Sequence, residues 1–168
     1  MNKNFQTKMG DVISMGMGKG LAGVIGLDVN VTLELFDENG NLKQSQQVHN
    51  TVTNPGLYGL MDQCLASPSL AKAGWMEVGT GTGGTTTLNA YVASSRTALS
   101  TITRTNAAVT FPCTFAAGVG TGALTEAGVF AVVTQNTAPM WLYATFSVIN
   151  KAAGDSLTVT WTFTAAAA

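Results

Sequence analysis

The sequence predicts a mainly β protein: an antiparallel β-sandwich or jelly roll with one short helix and an extended N-terminal arm. Three observations carry this. Short runs of period-two alternation recur from Val29 to Thr164, with turn-forming residues between them. Strands do not alternate with helical stretches, which argues against a parallel α/β sheet. Apolar residues fall at helical spacing in one place, Leu57 to Leu65.

The arm comes first. Residues 1–26 are rich in Met and Gly, and glycine at that density opposes both helix and strand. Apolar residues are scattered through it, so it does not read as a solvated tail. The expectation is an arm that orders against neighbouring subunits, with Met9, Ile13, Met15, Met17, Leu21 and Val24 as its contact residues. The β domain then spans 27–168.

Val29, Val31, Leu33 and Leu35 alternate with Asn30, Thr32, Glu34 and Phe36, a strand buried on one face. Asp37 to Asn41 is a turn, with Asn39-Gly40 supplying the positive φ of a hairpin. Leu42 to His49 returns as a polar edge strand. Thr53 or Asn54 caps a helix, and Pro55 suits its first position. Leu57, Leu60, Met61, Cys64 and Leu65 form its apolar face, expected to cover an edge or end of a sheet, and Ser67-Pro68 ends it.

Trp75 to Gly79 is a short strand that runs into a glycine-threonine loop and a long polar connection through Ser95, with Leu88 and Tyr91 as possible anchors. Strands are expected over Leu99 to Thr105 and Ala107 to Ala117, and Pro112 places the second at an edge or a bulge. Further strands run from Leu124 to about Val133, Met140 to Val148 and Ser156 to Thr164. Asn150 to Asp155 reads as a loop, and Ala165 to Ala168 as an inert tail.

The composition restricts function. Charged residues make up 10% of the 168 positions, against about 25% in typical soluble domains. A free monomer uses dispersed charge to stay soluble, so this chain is expected to cover surface with copies of itself or with partners. The formal net charge is −1, and no basic field recruits nucleic acid. No segment approaches the length of a membrane span and no secretion signal is convincing, so the protein is expected to be made in the cytoplasm. Cys64 and Cys113 lack metal spacing and are expected to be small buried thiols, with a disulfide between them as the alternative.

Gly79, Gly81 and Gly84 satisfy G-x-G-x-x-G. That fingerprint needs a helix directly after it, and Thr85-Thr86-Thr87 makes a poor first turn. No Gly-Lys-Ser/Thr is present, so a phosphate-cradling loop is excluded. His49, the one histidine, has neither a metal-ligand set nor a nucleophile beside it. Glu126 is isolated in sequence and reads as a structural partner of Arg96 or Arg104 rather than as half of a catalytic acid pair. No catalytic residue, cofactor, metal site or small-molecule substrate is expected. Trp75, Tyr91, Trp141 and Tyr143 are the aromatics a carbohydrate-binding sandwich would use, and core packing is their simpler role.

Four stretches occur in an order that resembles a known group: His49-Asn50-Thr51-Val52-Thr53-Asn54-Pro55-Gly56-Leu57; Val78-Gly79-Thr80-Gly81-Thr82 with Leu88 and Arg96; Leu124-Thr125-Glu126-Ala127-Gly128-Val129-Phe130; and Gly154-Asp155-Ser156-Leu157-Thr158-Val159-Thr160-Trp161. Together they resemble tailed-bacteriophage virion structural proteins, of the capsid cement or decoration type or the tail-fibre or collar type. The resemblance implies a non-enzymatic β-rich module of the virion, a homotrimer, whose partners are the major capsid protein and copies of itself. The alternatives are a tail-fibre, collar or adaptor subunit, and a carbohydrate-binding module.

Overall fold

The computed structural model describes residues 12–13 and 25–167. Its elements in chain order are β1 (Val12–Ile13), β2 (Ile25–Phe36), β3 (Leu42–His49), β4 (Thr51–Val52), α1 (Asn54–Asp62), β5 (Trp75–Gly79), β6 (Thr97–Ala98), β7 (Thr103–Thr105), β8 (Ala108–Phe115), β9 (Gly122–Phe130), β10 (Met140–Lys151) and β11 (Ser156–Ala167). They form two antiparallel sheets, as a sandwich requires. One has the order β1-β2-β11-β8-β7, with β3 also paired to β2; the other is β4-β10-β9-β5-β6.

Alternation builds the core. Val29, Val31, Leu33 and Leu35 of β2 lie beside Phe163, Trp161, Val159 and Leu157 of β11. The same β11 residues meet Val109, Phe111, Cys113 and Phe115 of β8. Met76, Val78, Ala127, Val129, Leu142 and Ala144 of the second sheet close the core from the other side. Each large aliphatic buried here contributes about 1.5–3 kcal/mol. The intervening residues of the first sheet form its outer face. Thr32 and Pro112 flank Thr160, while Glu34 and Thr114 flank Thr158.

The β2–β3 hairpin forms as its sequence dictates. The Asp37 carboxylate accepts the amides of Asn39 and Asn41 at 2.9 and 2.8 Å, and Gly40 takes φ +81°. β3 is an edge strand, and its glutamines cross to the other sheet. Gln46 Nε2 donates to Ser147 O at 2.8 Å and Gln44 Nε2 to Val148 O at 3.3 Å. At the opposite side the chain itself crosses between sheets. Leu99 N donates to Gly74 O, and Ser100 N to Pro112 O. That crossing leaves only β7 of the strand expected over Leu99 to Thr105, with β6 ending just before it. Pro112 sits where β8 extends beyond β7, and its carbonyl turns outward to Ser100, so no ladder bond needs the missing N–H.

Two further expectations are corrected. Ala165 to Ala167 are not a tail but pair with Leu27 to Ile25. β10 continues to Lys151, and an irregularity between Thr145 and Ile149 reverses its faces, burying Ile149 and exposing Val148. β2 begins at Ile25, two residues before the expected domain boundary, and β1 pairs with that extension.

Lys151 and Asp155 staple the β10–β11 turn. The buried Lys151 Nζ donates to Ala116 O at 3.0 Å and Asp155 O at 2.6 Å. The Asp155 carboxylate accepts Lys43 Nζ at 2.7 Å and Ala152 N at 2.9 Å. The Lys43 hydrogen bond, then the Ala152 amide, hold its pKa below the usual 3.8. Such a group binds its proton more readily in the unfolded chain, so its stabilisation is full above the unfolded value and is lost as pH falls through the folded one. Asp155→Asn should therefore lower the thermal midpoint at neutral pH. The gap from wild type should close as the pH drops below about 4; thermal melts across that range check this.

Candidate functional site

The distinctive region is the outer face of the second sheet. Trp75, Glu77 and Gly79 on β5 lie opposite Phe130, Gly128 and Glu126 on β9. The next strand adds Met140, Tyr143 and Thr145. After Gly79 the chain loops over this face. Thr80 N donates to Ala90 O and Val92 N to Val78 O, and Met140 N donates to Thr86 O. Leu88 packs with Phe130, Met140 and Tyr143, with Trp75 at the side, as a second small core. Leu88 is thus the anchor expected of it, whereas the Tyr91 side chain is exposed and that residue contributes a backbone bridge to Gly79.

Glu126 holds the loop. Its carboxylate is fully buried and accepts Gly81 N at 3.2 Å, Asn89 N at 3.3 Å, Ala90 N at 2.8 Å and Tyr143 OH at 3.0 Å. Tyr143 OH in turn accepts Gly83 N at 2.6 Å. Burial pushes the Tyr143 pKa up, and the Glu126 bond adds to this against the loop amides. The glycines permit the approach: a Cβ on Gly79 would stand 2.5 Å from Ala90 O, and one on Gly81 2.8 Å from Ala90 N. One amide of the G-x-G-x-x-G stretch, that of Gly81, thus meets a carboxylate of the protein itself, where a nucleotide loop would face phosphate.

The expected partners of Glu126 are corrected. Arg96 pairs instead with Glu77, Nη2 to Oε2 at 2.9 Å, and its Nη1 donates to Val132 O at 2.8 Å. Its guanidinium lies 3.6 Å from the centroid of Phe130, a cation–π contact. Burial lowers the Arg96 pKa, and Glu77 opposes this. Glu77 Oε1 and Arg96 Nε have no hydrogen-bond partner. Arg104 donates to Asn106 O. Glu77 is the residue that sequence reasoning missed. Its signal was the alternation of Trp75, Glu77 and Gly79, which puts a second carboxylate on the face of Glu126. Both carboxylates are fully buried beneath the loop.

The helix departs furthest from expectation. Thr53 is its N-cap, accepting Gly56 N at 3.1 Å, and its hydroxyl also lies against the carbonyls of Met140 and Trp141. α1 meets the sheet with Gly56 and Gly59. A Cβ on Gly56 would stand 2.1 Å from Trp141 O, and one on Gly59 2.3 Å from the Trp141 ring. The apolar residues therefore point away. Tyr58, Met61 and Leu65 are 66%, 53% and 58% exposed, and Leu57 and Leu60 are half-buried. The helix ends at Asp62, before Ser67-Pro68, because Asp62 accepts Ser69 Oγ at 2.9 Å and Leu70 N at 2.8 Å and turns the chain back. Cys64 is exposed, not buried. Cys113 is buried as expected, its thiol pushed up to about 12, and both are free.

No family model, curated protein or solved structure matches the chain. Its site therefore rests on geometry. His49 is exposed, with Nδ1 3.8 Å from Asp28. Among the described residues no group of His, Cys, Asp or Glu is arranged to hold a metal, and no helix is long and apolar enough to cross a membrane. Of the aromatics considered for glycan binding, Trp141 and Tyr143 are buried, Trp75 is half-buried and Tyr91 is exposed. Of the expected arm contacts, Ile13 lies in β1 opposite Ile25. Met9, Met15, Met17, Leu21 and Val24 lie outside the described residues.

Two substitutions separate these contacts. Glu126→Gln turns an amide donor toward backbone donors and should cost about 1–3 kcal/mol. Amide exchange at Gly81 and Ala90 should accelerate while the sandwich persists, as read by hydrogen exchange and denaturant unfolding. Gly59→Ala should cost about 1–3 kcal/mol by overpacking against Trp141. Gly74→Ala, where a Cβ meets only Lys72 O at 3.9 Å, should stay within about 0.5 kcal/mol of wild type in the same unfolding assay.

Proposed function

We propose that the chain is a non-enzymatic structural subunit of a tailed-bacteriophage virion, a capsid cement or decoration protein that bridges and stabilises neighbouring major capsid subunits. One observation carries the reading. Three of the four stretches that resemble such proteins meet in one structural unit. Thr53 to Gly56 seat the helix on β10, Val78 to Thr82 with Leu88 and Arg96 form the loop and its clamp, and Leu124 to Phe130 supply Glu126 and Gly128 beneath it. A shared order of these three motifs has a physical reason if they build the same unit; the fourth, Gly154 to Trp161, runs into β11 of the other sheet.

The surface is compatible with a subunit packed among copies. Its outer sheet face is rich in threonine hydroxyls, with Asp28 and Glu34 among them, and Thr114 and Thr158 hydrogen-bond across it at 3.1 Å. Repeated on a shell, contacts that are individually weak would add through multivalency. In this reading the partners are the major capsid protein and further copies of the chain as a homotrimer, and the place of action is the virion, after synthesis in the bacterial host cytoplasm.

Quantitative mass spectrometry of purified particles tests this. The cement role expects a ratio to the major shell protein near one. A few copies per particle would move the chain to a tail-fibre, collar or adaptor position, and absence from particles would refute the virion reading.

A further inference from the structure

β3 carries a free edge. In the β2–β3 ladder Asn50 N donates to Val29 O, and the same register sets Val31 beside Val48, Leu33 beside Gln46 and Leu35 beside Gln44. Hydrogen-bonded and non-bonded pairs alternate in an antiparallel ladder, so the N–H and C=O groups of Ser45, Gln47 and His49 point away from β2. All three residues are exposed, and among the described residues no strand lies on that side of β3.

The other described edges are short or covered. β4 and β6 have two residues each and β7 has three. Where β10 runs past β4, the carbonyls of Ser147 and Val148 accept Gln46 and Gln44. Where β8 runs past β7, Pro112 O accepts Ser100 N, and where β5 runs past β6, Val78 and Thr80 bond to the returning loop. Sheets blunt an edge strand with proline, an inward charge, a bulge or a projecting lysine. Residues 45–49 have none of these, and Lys43 is bent back onto Asp155 at 2.7 Å.

We propose that β3 pairs antiparallel with β3 of a second copy of the chain, about a two-fold axis at Gln46. The contact joins two six-stranded sheets into one. It does not rest on the virion reading; in a homotrimer it would link one trimer to the next. A foreign peptide added to a sheet edge gains specificity from pockets for its alternate side chains. The residues that carry this edge are polar and exposed, which suits backbone pairing with a like strand. A two-fold contact is self-complementary. With the axis at Gln46, the outward groups of Ser45 meet those of Gln47 on the second copy, and Lys43 stands opposite His49. No acid faces an acid and no lysine a lysine. Each Lys43 also lies at the end where the other copy carries Asp28, 3.8 Å from His49. One strand pair covers well under the ~800 Å² per partner of a standard interface, so the contact is weak singly and adds up in an array.

Amide exchange of the full chain, read residue by residue from dilute solution up to about 1 mM, tests this. Protection of Ser45, Gln47 and His49 should rise several-fold with concentration as sedimentation shows pairing, while Gln44, Gln46 and Val48 stay protected throughout. Gln47→Pro removes an outward donor and leaves the β2 bonds intact; it should abolish the rise with the far-ultraviolet spectrum unchanged. Protection of the three amides that is the same at every concentration would overturn the proposal by placing the cover within one chain. Amides that stay unprotected at the highest concentration, or a rise that survives Gln47→Pro, would also overturn it.

Discussion

A carboxylate can be buried only if hydrogen bonds replace its water, and the layer over the second sheet depends on how Glu126 meets that demand. Three backbone amides and one phenol supply the replacement, and all three amides come from the loop between β5 and β6. The loop therefore cannot lift without stranding a charge, and the charge cannot be accommodated without the loop. Glycine at positions 79 and 81 is the steric condition for both. The Arg96–Glu77 pair repeats the logic at the other end of the loop, where the guanidinium ties β5 to the end of β9.

The sandwich itself was legible because period two is a local signal. β2, β3, β8 and β11 each announce their inward face residue by residue. What was not legible was interaction across the sheet. Whether Arg96 meets Glu77 or Glu126 is decided by the register of β5 on β9, which no local pattern encodes. The strand expected over Leu99 to Thr105 failed because crossing between sheets interrupts pairing without changing alternation. Ala165 to Ala167 carry no alternation at all, yet they complete β11 because β2 extends far enough to receive them.

The helix shows the limit most clearly. Reading its face from Leu57, Leu60, Met61, Cys64 and Leu65 assumes that the largest apolar side chains seek the core. Here the tightest packing is between Trp141 and two glycines, where what matters is the absence of side chains. A hydrophobic count cannot register that, whereas the three-residue spacing of Gly56 and Gly59 could have indicated it.

This inversion divides labour within nine residues. One side of α1 is committed to the fold, because any atom added to it collides with Trp141. The other side touches so little of the sandwich that its residues are free to drift. Tyr58 and Met61 are exposed, so exchanging them should cost folding little, and the contacts that this side of the helix makes could change while the scaffold stays the same.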